Sequence, residues 1–99
     1  MMENMLTNSI ELIPTYDRSK NPKPMRFRPL SLQEAKTLSY GEELWTKLNS
    51  GKAGRVRVAS QVKRWKRDPD RLEVTFKYGL YESVRMDGRE IEERILVPV

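Results

Sequence analysis

The chain has 99 residues, with 19 Lys and Arg against 14 Asp and Glu and neither cysteine nor histidine. That length fits a single domain, and the missing residue types exclude disulfides, thiolate metal sites, cysteine nucleophiles and imidazole-based triads. Apolar runs of no more than four or five residues are too short for a signal-peptide core or a membrane span, so a cytoplasmic protein without a membrane partner is expected.

Residues 1–30 read as an extended, partly flexible arm. They hold Pro14, Pro22, Pro24 and Pro29, and each proline removes a backbone donor and biases its predecessor toward extended geometry. Ile10, Leu12 and Ile13 suit a short edge strand. A small basic cluster, Arg18, Lys20, Lys23, Arg26 and Arg28, makes this arm a secondary candidate for electrostatic contact with a phosphate backbone. The plainer reading of the arm is a soluble linker.

Residues 31–99 read as one small β-rich domain. Ser31 and Glu34 have capping-box spacing, and Leu32, Ala35 and Leu38 recur at helical intervals, which predicts a short helix over 32–38. Residues 40–50 carry mixed signals. Ser39 with Glu42 is a second capping box and Gly51 suits a helix C-terminus, whereas Leu44, Thr46 and Leu48 alternate. The next strand needs an antiparallel neighbour, which favours a strand here; an α+β arrangement with a second helix is the alternative.

From residue 53 the period is two. Val56, Val58 and Val62 alternate with Arg55, Arg57 and Lys63. Asp68-Pro69-Asp70-Arg71 suits a type I turn, and Leu72, Val74, Phe76 and Tyr78 then alternate with polar residues up to Gly79. Leu80, Val84 and Met86 share the parity of a further strand. Asp87-Gly88 is a strong hairpin signal, after which Ile91, Ile95, Val97 and Val99 suggest a last strand. Four to five short antiparallel strands after one helix predict a mainly β fold, a small SH3-like barrel whose closure would hide the sheet edges.

The charge is concentrated. Residues 52–71 hold eight basic and two acidic side chains, a net +6, whereas residues 1–30, 31–51 and 72–99 contribute +2, −1 and −2. Such clustering is the electrostatic footprint of a polyanion binder. Were 54–67 one uninterrupted strand, Arg55, Arg57, Lys63, Trp65 and Arg67 would share a face, with Arg64, Lys66 and Arg71 adding to the positive field. The aromatic ring would supply a stacking surface for bases. A bulge near Ala59-Ser60 would instead turn Trp65 into the core. The expected partner is nucleic acid; an acidic protein surface, bound by an assembly adaptor or inhibitor, is the alternative.

Catalysis is not expected. Ser50-Gly51-Lys52-Ala53-Gly54 lacks the phosphate-loop pattern. Asp68, Asp70 and Glu73 could gather a divalent cation, but Arg67 and Arg71 flank the two aspartates as counter-charges. Glu90, Glu92 and Glu93 do not converge under strand alternation. No metal or other cofactor is implied.

Overall fold

A computed structural model describes residues 9–15, 23–79 and 81–99. In chain order the elements are β1 (Ile10–Leu12), β2 (Met25–Pro29), α1 (Leu32–Ala35), β3 (Glu43–Lys47), β4 (Ala53–Val58), β5 (Lys63–Trp65), β6 (Asp68–Tyr78), β7 (Glu82–Asp87), α2 (Gly88–Arg94) and β8 (Ile95–Pro98). All eight strands join one antiparallel sheet, running β1-β2-β8-β3-β4-β6, with β5 and β7 both paired to β6.

The sheet is open, and this corrects the expectation of an SH3-like barrel. Closure is expected from the number and length of the strands and the need to hide their edges, with a hairpin at Asp87-Gly88 leading into the last strand. Asp87 is instead the N-cap of α2, its Oδ1 accepting the Glu90 N–H at 2.9 Å. The helix carries the chain away from β7 and delivers β8 between β2 and β3. Edges are handled without closure. β7 presents Glu82, Arg85 and Asp87 along its length, and charges on an edge discourage pairing with another chain. Beyond β1, an isolated parallel bridge joins Pro14 to Ala53, with the Thr15 N–H donating to the Ala53 carbonyl at 2.9 Å. That contact curls the N-terminal side of the sheet over β4.

Local chemistry explains most of the other elements. The Ser31–Glu34 capping box is formed in both directions, although α1 ends at Ala35. The second box is put to another use. Glu42 reaches the Ser39 backbone N–H at 3.4 Å, and the Glu42 N–H donates to the Ser39 carbonyl at 3.0 Å. Gly41 lies between them at φ 87°, a left-handed conformation that ends a helix rather than continuing one. The segment therefore turns into strand β3, as the need for a neighbour to β4 favoured.

The sheet buries apolar residues on both sides. On the helix-covered side Leu44, Val56, Val58, Leu72, Val74, Phe76, Met86 and Ile95 pack with Ala35 and Leu38, and with Ile91 of α2. Each large side chain buried this way contributes about 1.5–3 kcal/mol. On the other side a smaller cluster joins Leu12, Phe27, Trp45, Ala53 and Leu96, with the Phe27 and Trp45 rings 5.3 Å apart. Part of the segment read as an arm thus builds the sheet. Phe27 of β2 is fully buried, and its strand lies between β1 and β8.

Candidate nucleic-acid interface

Side chains directly opposite one another on antiparallel strands share a face, so the register gives the composition of each side. Away from the helices, one row runs Glu43–Arg57–Lys77–Ser83. A second holds Thr75 and Arg85, and a third Lys63, Glu73 and Asp87. Arg55 stands beside them, opposite Trp45. Five cations (Arg55, Arg57, Lys63, Lys77 and Arg85) therefore share the exposed part of this face with three carboxylates.

The carboxylates are already engaged in part. Glu43 lies 2.7 Å from Arg55 and 3.4 Å from Arg57, and Glu73 lies 3.4 Å from Arg85. The Arg55 guanidinium also stacks over Trp45, 5.3 Å from the ring centroid. Two shallow hollows open here. One, of about 310 Å³, is lined by Glu43, Arg55, Arg57 and Lys77; the other, of about 290 Å³, is lined by Ser60, Gln61, Lys63, Thr75 and Arg85 with Glu73.

The stretch 54–67 is not one strand, yet its parity survives. β4 stops at Val58, opposite Phe76, and the ladder resumes with Lys63 opposite Glu73. Two extra residues have entered on the β4–β5 side. Because two is even, Lys63 returns to the face of Arg55 and Arg57. A second irregularity, between Arg64 and Trp65, brings Trp65 opposite Asp68 and leaves Pro69, Asp70 and Arg71 without partners on β5. A proline is tolerated where the ladder is already interrupted. The turn expected at Asp68-Pro69-Asp70-Arg71 is accordingly displaced, and the chain reverses at Lys66-Arg67.

Trp65 is neither a core plug nor an open platform. It is half-buried and stands outside both apolar clusters. The Arg71 guanidinium lies 4.3 Å from its ring centroid and the Lys63 ammonium 5.1 Å. Arg64, Lys66, Arg67 and Arg71 are exposed. Among the described residues, no carboxylate lies within ion-pair distance of these four or of Lys63.

The basic N-terminal cluster is not brought to this surface. Arg26 and Arg28 alternate with Phe27 and lie on the helix side of the sheet. Arg26 pairs with Glu11 at 2.9 Å, and Arg28 pairs with Glu34 at 2.7 Å. Lys23 is exposed, whereas Arg18 and Lys20 fall outside the described residues. Lys77 and Arg85 are additions that the charge count along the chain does not reveal, because only cross-strand register sets them beside Arg57 and Lys63.

Of the acidic groups considered for metal binding, Asp70 is taken by Lys36 at 3.1 Å, and Glu90, Glu92 and Glu93 lie on α2. Among the described residues no cluster of three or more His, Cys, Asp or Glu could hold a metal ion, and no helix is long and apolar enough to cross a membrane. No family model, curated protein or solved structure matches the chain.

Proposed function

We propose that this chain is a small, non-enzymatic nucleic-acid-binding module of the cytoplasm, gripping phosphates through the exposed helix-free face of β4–β7. The observation that carries the reading is the convergence of Arg55, Arg57, Lys63, Lys77 and Arg85 on one open face, continuous through Lys63 with the cations of the β5–β6 hairpin. Lys and Arg on such a surface neutralise phosphates and release their condensed counterions.

One detail adds support. Arg57 and Lys77 are directly opposite, and a like-charge pair in that position costs roughly 0.2–1 kcal/mol. A bound phosphate would relieve the repulsion. Lys77→Gln should therefore leave the melting temperature unchanged or slightly raised while weakening binding.

The test is fluorescence anisotropy with labelled oligonucleotides over a salt series. Neutralising about six phosphates gives a log K against log[salt] slope of roughly −4 to −5.5. An Arg57→Ala/Lys63→Ala/Lys77→Ala variant that keeps its fold should show a shallower slope and at least ~10-fold weaker binding. Absence of binding at low salt, or binding indifferent to salt, would overturn the reading.

A further inference from the structure

The β5–β6 hairpin reaches past the sheet that supports it. Pairing of β6 with β4 spans Phe76 to Tyr78, and pairing with β7 ends at Glu73. Nearer the turn, Leu72 pairs with Arg64 and Asp68 with Trp65. The tip of the hairpin, Lys66 to Pro69, is exposed beyond the last β4 and β7 pairs, whereas Asp70 and Leu72 at its base lie against Gly88 of α2. The turn of this two-stranded ribbon is Lys66-Arg67, and Arg64 and Arg71 are exposed along it. At its base the Lys36 ammonium holds the Asp70 carboxylate at 3.1 Å, which neutralises one of its two acids and ties the ribbon to the end of α1. Trp65 is half-buried with Arg71 and Lys63 over its ring, so a stacking base would compete with these two cations for the indole.

We propose, resting on the nucleic-acid reading above, that this ribbon enters the major groove of B-form duplex DNA while the adjoining sheet face holds the flanking phosphates. A two-stranded β-ribbon fits a groove about 12 Å wide. The deep, narrow major groove of A-form RNA excludes it. A single strand gains from aromatic stacking, and the one indole of the ribbon already carries Arg71 and Lys63. Lys66 and Arg67 lead into the groove, where an arginine fork can meet a guanine edge, and Arg64 and Arg71 face its phosphate walls.

The experiment compares the intact chain on four probes at about 50 mM salt. These are a duplex DNA of about 20 base pairs, its single strand, the matching duplex RNA, and the duplex DNA with glucosylated hydroxymethylcytosines filling the major groove. The plain duplex should bind about 10-fold more tightly than each of the other three. Lys66→Ala/Arg67→Ala should lose about 10-fold on the plain duplex and less than about 3-fold on the single strand. Equal or tighter binding of the groove-filled duplex, the RNA or the single strand overturns the ribbon assignment and leaves the broader reading standing. No binding to any probe overturns both. Should the double variant unfold, the groove-filled duplex still decides the matter with the unaltered protein.

Discussion

Glu34 serves two structures at once. Its carboxylate accepts two hydrogen bonds from the Arg28 guanidinium, at 2.7 and 2.8 Å, and a third from the Ser31 backbone N–H at 3.1 Å. The carboxyl is drawn down to about 2, chiefly by the Arg28 hydrogen bonds. A carboxyl depressed in the folded state stabilises above its ordinary range, and that contribution is lost as pH falls toward the folded value. Both side chains are about two-fifths exposed, so solvent screens the pair. Glu34→Gln should cost only about 0.5–1 kcal/mol at neutral pH. Urea denaturation at a series of pH values should show wild type and variant converging as pH drops from about 4.5 toward 2.

At the scale of elements, α2 decides the architecture, and Asp87 is its start. Asp87→Ala should destabilise the protein by about 1 kcal/mol, and Asp87→Asn by much less, because asparagine also caps a helix; the shift in urea midpoint measures both. The same residue shows where a sequence stops informing. Asp-Gly opens a hairpin as readily as Asp begins a helix, and Ile91 and Ile95, four apart, satisfy a helical repeat and strand parity alike. Packing settles the choice. A Cβ at Gly88 would stand 2.9 Å from Leu32 Cδ1, so α1 packs close against the start of α2. Strands β4 and β7 and the 72–78 part of β6 were legible because they alternate, and β3 because β4 needs an antiparallel neighbour. The cationic stretch 52–71 was legible because charge needs no register. Lys77 and Arg85 were hidden, since residues on separate strands become neighbours only once pairing is known, and so were the irregularity around Pro69 and the displaced turn.

For the molecule as a whole, strands far apart in sequence are mutually dependent. β8 holds β2 on one side and β3 on the other, and Phe27 of β2 packs on Trp45 of β3. Phe27→Ala should therefore weaken the entire sheet, by about 3–5 kcal/mol for a fully buried ring. Unfolding should remain a single transition at a lower urea midpoint when tryptophan emission and far-ultraviolet circular dichroism are followed together. Separate transitions would show that β1 and β2 detach as a unit.

The interval between β4 and β5 has a consequence for how this chain can change in length. Residues 59–62 keep Lys63 on the side of Arg57 only because the slip they introduce is even. Removing or adding one residue there would turn Lys63 toward the helices and reverse the ribbon beyond it, whereas a change of two would restore the same orientation. Insertions and deletions at this point are therefore tolerated in pairs, and a single codon gained or lost would turn Lys63 and the ribbon away from Arg55, Arg57, Lys77 and Arg85 without removing a charge.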